Sequence, residues 1–163
     1  MGTVLVQPHD DASATVGVVP TGGYCKIPIV GAGHTCDFAF VAVDSGISVN
    51  DDIFVTPSNS MRDISGKRSD AGQLEGTFVA KSGAGSSYTS GEIIENDSDV
   101  NYNRADFNAV PGDSGAPVYE WVNAGTGNAE LFGMVYGRGD DNNTYYHPQD
   151  FIASQIGAVA STS

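Results

Sequence analysis

The runs Thr3–Val6, Thr15–Val19, Phe38–Val43, Ile53–Val55, Gly76–Ala80, Ala116–Val122 and Leu131–Tyr136 are short, apolar and rich in β-branched and aromatic residues. Clusters of Gly, Asp, Asn and Ser separate them. Runs this short between turn-forming residues read as strands, and their repeated spacing is that of a barrel or a sandwich. The 21 glycines suit many turns rather than long helices. One helix is expected, at the C-terminal end. Pro148 stands near its start, and Phe151, Ile152, Ile156 and Val159 follow at helical spacing. No apolar run approaches the about 20 residues that span a bilayer, so no membrane partner is expected.

Within this pattern Pro111-Gly112-Asp113-Ser114-Gly115-Ala116-Pro117-Val118 is the stretch with chemical content. Gly, Pro, Asp and Ser are ordinary turn residues, so their order matters more than their presence. Glycines near a serine on both sides let the backbone bend sharply and bring main-chain N–H groups close to its oxygen, where they can stabilise an oxyanion. The run then passes into an apolar strand that would hold the turn rigid. It resembles the nucleophile signature of the chymotrypsin-like serine peptidases, Gly-Asp-Ser-Gly-Gly-Pro, with Ala116 in place of the last Gly. Three further segments resemble that family in the same order. Lys81–Ile93 resembles its strand-turn-strand opening the second barrel, and Leu131–Gly137 its strand lining the primary specificity pocket. Tyr145–Pro148 followed by Asp150–Ile152 resembles its last strand and terminal helix. The pattern is most similar to the secreted streptogrisin- and alpha-lytic-type members of bacteria and archaea.

The resemblance implies an all-β fold of two antiparallel six-stranded β-barrels with a C-terminal helix. Residues 1–72 would form the first barrel and the connection, and residues 73–163 the second. The polar tract Ser58–Gly72, which holds Arg62, Lys67 and Arg68, reads as the interlobe connection; a strand of the first barrel within it is the alternative. The material before Gly72 looks short by one or two strands. An incomplete first barrel would leave an unpaired sheet edge and exposed core surface.

Ser114 would be the nucleophile, with the Gly112 and Ser114 N–H groups as the oxyanion hole. Asp113 resembles the family's buried Asp, which positions that turn through an internal ion pair, although the sequence names no partner. Asp37, at the head of Asp37-Phe38-Ala39-Phe40-Val41, matches the strand that carries the catalytic acid, whose carboxylate orients an imidazole. Tyr136, Gly137 and Arg138 would border the primary pocket and pair with substrate backbone. Arg138 would either narrow the pocket or favour an acidic residue, or else point into solvent toward Asp140 and Asp141.

The general base has no motif here. The family places it in Thr-Ala-Gly-His or Thr-Ala-Ala-His well before the acid, and this sequence holds only His9, His34 and His147. His34 precedes Asp37 by three residues. If the strand has begun there, the two side chains point to opposite faces. His9 follows a Gln7-Pro8 pair similar to the segment after the family's histidine, and His147 reads as structural. The expectation is a secreted serine endopeptidase from which the segment bearing the histidine is missing. The alternative is a catalytically inactive, protease-like peptide-binding or surface module.

Cys25 and Cys36 are too few to hold a metal with so few histidines. A disulfide closing a short hairpin loop, expected in a secreted setting, and two buried thiols both fit the pair. Twenty acidic against seven basic residues give a net charge of −13, a field that repels nucleic acid and anionic surfaces. Acidic pairs such as Asp51-Asp52 and Asp140-Asp141 read as solvated surface, and none has an EF-hand pattern. No cofactor and no metal are expected, the partner is a polypeptide substrate, and the chain is expected to be a monomer.

Overall fold

The computed structural model describes residues 41–55, 58–97, 101–123 and 127–157. It also describes the backbone of four strands: β1 (Thr3–Val6), β2 (Thr15–Val19), β3 (Tyr24–Cys25) and β4 (Phe38–Ala39). β5 (Ala42–Val43), β6 (Asp52–Val55) and β7 (Ser60–Lys67) follow, then a 3-10 turn at Asp70–Gly72. β8 (Phe78–Gly83), β9 (Ser87–Asp97), β10 (Tyr102–Ala105), β11 (Pro117–Asn123), β12 (Asn128–Arg138) and β13 (Thr144–Pro148) complete the strands, and α1 (Gln149–Ile156) ends the described chain.

The last six strands form a closed antiparallel barrel, hydrogen-bonded in the order β11-β8-β9-β10-β13-β12, with β12 pairing back onto β11. Closing so small a sheet requires tilted, locally bent strands. The ladders supply the bends as register irregularities at Arg104/Ala105, Val118/Tyr119 and Val135/Gly137. Alternate residues point inward, so Val79, Ile93, Ala105, Val118, Phe132, Val135 and Tyr146 fill the interior and are almost wholly buried. The interior also carries a satisfied polar group. Gln73 Nε2 donates to the Phe132 carbonyl at 2.9 Å, while its Oε1 accepts from Asn103 Nδ2 and Tyr146 Oη, each at 2.9 Å. This network explains why Tyr102-Asn103-Arg104-Ala105, polar to the eye, is a barrel strand. Asn103 faces inward because Gln73 meets it there.

Upstream, β1, β2 and β5 form one antiparallel sheet, β3 pairs with β4, and β6 forms a hairpin with β7. The run Phe38–Val43, expected as one strand, is divided between two sheets, because β4 follows β3 while β5 follows β2. The tract Ser58–Gly72 is strand over Ser60–Lys67, the alternative to a plain connection. Its side chains alternate between half-buried and exposed, so a polar composition coexists with a paired backbone. β7 also pairs in parallel with β12, Ala129 opposite Ile64 and Leu131 opposite Lys67. α1 begins after Pro148 and ends at Gly157, whose left-handed φ of 68° lets its N–H bond the Ala153 carbonyl. Among the described residues no helix is long and apolar enough to cross a membrane.

Gly133 lies where β12 meets β13, opposite Pro148. A Cβ there would press on the His147 backbone carbonyl, well inside van der Waals contact. Neither strand can yield without breaking the ladder. Gly133→Ala is therefore expected to destabilise the protein by about 2–3 kcal/mol, the upper range for overpacking, seen as a lower urea midpoint at an unchanged slope.

Candidate active site

The turn from Pro111 to Ala116 is built by two glycines in the left-handed region, Gly112 at φ 99° and Gly115 at φ 85°. A side chain at either position would strain the backbone. The Asp113 N–H bonds the Val110 carbonyl at 3.0 Å and the Ala116 N–H bonds the Asp113 carbonyl at 2.9 Å. The Gly115 N–H then reaches the Val135 carbonyl at 2.8 Å, and the Val135 N–H returns to Ala116 at 2.9 Å, so the turn is fastened to β12. Ser114 is exposed on this turn while its neighbour Asp113 is fully buried. Among the described residues no backbone acceptor takes the N–H of Gly112 or of Ser114.

The Asp113 carboxylate anchors the turn from below. Oδ1 accepts the Gly85 and Ser86 N–H groups, each at 2.9 Å. Oδ2 accepts Ser86 Oγ at 2.6 Å and the Val110 N–H at 2.9 Å, and lies 3.1 Å from Lys81 Nζ. Both charged side chains are wholly buried. The ammonium is further satisfied by Ser86 Oγ at 2.7 Å and the Ser87 carbonyl at 3.1 Å. Burial pushes the Asp113 carboxyl up. The Ser86 hydroxyl, the Val110 and Ser86 N–H groups and Lys81 outweigh it and hold the carboxyl well below the usual carboxylate range. The β8–β9 turn comes close enough that a Cβ on Gly85 would stand 2.6 Å from the Pro111 carbonyl oxygen.

Lys81 is thus the partner of Asp113 that sequence reasoning did not name. The available signal was a lone cation in the apolar strand Phe78-Val79-Ala80-Lys81, just before a Gly/Ser-rich turn. Such a lysine ordinarily snorkels to solvent, and only the fold turns it inward. Ser86, which bridges the ion pair, was indistinguishable from any turn serine.

Ser114 opens onto a cleft of about 510 Å³ whose wall includes Ala109, Val135, Gly137 and Arg138. β12 pairs with β11 only as far as Met134 and with the Pro111–Ala116 turn through Val135. Beyond that point, among the described residues, only β13 pairs with it. Tyr136-Gly137-Arg138 therefore presents one unpaired backbone edge beside Ser114. Arg138 is exposed and donates from Nη2 to Asn142 Oδ1, in the loop that carries Asp140 and Asp141. Asp141 is engaged by Arg104.

Of the residues singled out in the sequence, Ser114, Gly137 and Arg138 line this cleft, Gly112 and the buried Asp113 belong to the turn that carries Ser114, and Tyr136 precedes Gly137 on β12. Asp37, His9, His34 and Cys36 lie outside the described residues, and of Cys25 only the strand backbone is described, opposite Phe38. His147 is buried in β13, with Nδ1 2.8 Å from the Asn101 carbonyl and its ring packed against Tyr136 and Phe151 at 4.9 and 5.2 Å. Among the described residues no group of three or more His, Cys, Asp or Glu side chains could hold a metal.

The Lys81–Asp113 pair sets a pH dependence with a definite sign. The folded Asp113 pKa is depressed, so its stabilisation is complete above the unfolded value of about 3.9. It is lost as pH falls from there through the folded value. Lys81→Met, which strands a buried carboxylate, is expected to cost about 3–5 kcal/mol at pH 7. The Lys81→Met/Asp113→Asn double variant should recover part of that, and the penalty of the single variant should shrink below pH 4. Urea denaturation at pH 7 and pH 3 measures both.

No protein-family model matches the sequence, and no curated protein does. Solved structures do. The chymotrypsin of Cellulomonas bogoriensis superposes with a TM-score of 0.66 at 20% identity, covering 93% of this chain and 78% of that one. A glutamic acid specific serine protease, described as using a novel histidine triad in substrate binding, gives 0.65 at 20%, covering 91% and 75%. Thermobifida fusca protease A gives 0.61 at 21%, covering 78% and 69%. At these identities the likeness speaks to architecture alone, and by architecture the chain has the chymotrypsin-like, two-barrel fold.

Proposed function

We propose that this protein is a secreted serine endopeptidase that hydrolyses peptide bonds through an acyl-enzyme at Ser114. The observation that carries the reading is the exposed Ser114, on a turn locked by a buried ion pair, beside a cleft, with no backbone acceptor among the described residues for the Gly112 and Ser114 N–H groups. In this mechanism Ser114 Oγ attacks the substrate carbonyl as a base takes its proton. The two N–H groups hold the oxyanion, worth about a hundredfold or more per donor. Collapse of the tetrahedral species expels the amine, which receives the proton, and water then hydrolyses the ester. Asp37 would orient the histidine base. The substrate backbone would lie along Tyr136-Gly137-Arg138, adding a strand to the unpaired edge of β12. The reading asks for a polypeptide substrate, no cofactor and no second subunit.

His147 is not offered as the base, because the Asn101 carbonyl and the flanking rings fix it in β13. Fluorophosphonate labelling tests the reading and locates the base. Two versions are compared: the chain as it stands, and the chain preceded by an apolar strand ending in Ala-Gly-His. The first is expected to label weakly and the second strongly, at Ser114 by peptide mapping, with Ser114→Ala silent in both. Strong labelling of the first would assign the base to His9 or His34, resolved by substituting each. If neither version labels while the cleft binds extended peptides, the protein is a peptide-binding module and the enzymatic reading falls.

A further inference from the structure

Basic residues are scarce here, seven against twenty acidic ones, and most of those with described partners are matched to carboxylates. Arg68 pairs with Glu120 and Glu130 at 3.3 and 2.6 Å, Lys81 with Asp113 at 3.1 Å, and Arg104 with Glu95 and Asp141. Arg62, Lys67 and Arg138 form no ion pair among the described residues, and of these Arg138 alone is exposed on the wall of the Ser114 cleft. Its Nη2 donates to the neutral amide oxygen of Asn142. That bond restrains the guanidinium without cancelling its charge and leaves other N–H donors for a ligand.

The restraint is built into the loop after β12. The Gly139 N–H bonds the Asn143 carbonyl at 2.9 Å and the Asn142 N–H bonds Gly139 at 3.2 Å, closing a tight turn. Asn142 adopts φ 67° there, a left-handed conformation that Asn tolerates better than most residues. Elsewhere in the cleft Val135 and Ala109, both almost fully buried, supply apolar surface. Hydrocarbon wall and guanidinium together suit a side chain with a methylene stem and an anionic end.

The geometry points to a cleft beside Ser114 that selects an acidic side chain, glutamate above all, by a charge-assisted hydrogen bond to Arg138. This rests on the peptide-binding reading of the cleft given above and names its substrate class. Asp140 lines the same cleft and opposes an anion. Its carboxylate is exposed, so water and salt screen its repulsion. The Arg138 fork, held by Asn142, makes a directional bond to the ligand. Arg138 therefore decides the sign, Asp140 reduces the margin, and Asn142 is a positioning residue.

Binding tests this without needing turnover. Full-length Ser114→Ala protein is titrated by fluorescence anisotropy with labelled octapeptides identical except for Glu, Gln or Lys at one central position. The Glu peptide is expected to bind about tenfold more tightly than the Gln peptide, the scale of one charge-assisted bond, and the Lys peptide least. Arg138→Ala should erase the Glu advantage, Asn142→Ala should diminish it, Asp140→Asn should enlarge it, and about 0.5 M NaCl should narrow it. Equal binding of Glu and Gln, or a Glu advantage that survives Arg138→Ala, overturns the assignment while leaving a peptide site in place. A Lys preference abolished by Asp140→Asn overturns it in favour of Asp140. No binding of any octapeptide, with no fluorophosphonate labelling of Ser114, removes both this assignment and the peptidase reading.

Discussion

Two opposite charges, each fully removed from water, sit 3.1 Å apart beneath the turn that carries Ser114. Burying a carboxylate or an ammonium alone is prohibitive, and burying both is tolerable only when hydrogen bonds complete the pair. Asp113 receives four such bonds besides the lysine, from Gly85, from Val110 and twice from Ser86. Lys81 has the Ser86 hydroxyl and the Ser87 carbonyl. These donors come from the β8–β9 hairpin and from the turn itself, so the carboxylate is satisfied only when the two segments are in register. The conformation at Gly112 and Gly115 follows from that fit, and the exposure of Ser114 follows from the conformation.

A second constraint acts from above. β12 pairs with β11 from Asn128 to Met134 on one side, and on the other with β7 at Ala129–Leu131 and then with β13 from Gly133 to Arg138. The β11 side is given up where the Pro111–Ala116 turn that leads into β11 departs from β12, with Val135 as the last point of attachment. One backbone edge and Ser114 are therefore exposed by the same departure. A cleft bounded by both is a consequence of barrel closure with a sharp turn at that spot, and it needs no separate element to form it.

Much of this was legible in the residues. Gly112, Ser114 and Gly115 announce a strained turn because few sequences need two flexible positions around a serine. Tyr136-Gly137-Arg138 continues an apolar run that could only be a strand. Lys81 was illegible because a cation in a strand reads as solvent-facing until a carboxylate is known to lie across from it. β7 and β10 were hard to read because Ser60–Lys67 and Tyr102–Ala105 lack the apolar alternation of a core strand; their backbones pair regardless, and the inward Asn103 depends on Gln73, far away in sequence. The partner of Arg138 turned on a left-handed φ at Asn142, which a loop rich in Asp and Asn does not specify by composition.

The parallel pairing of β7 with β12 makes the tract after β6 part of the same ladder that carries the unpaired edge beside Ser114. A connection that merely spanned two lobes would act as a tether, and its sequence could drift without effect at the cleft. This one is a splint. Its Ile64 and Gly66 are laid against Ala129 and Glu130, and a shift in their register would be passed along β12 toward Arg138. Loss of the β6–β7 hairpin would bare the β12 backbone at Ala129–Leu131, so that hairpin and the barrel are bound to share one fate on unfolding.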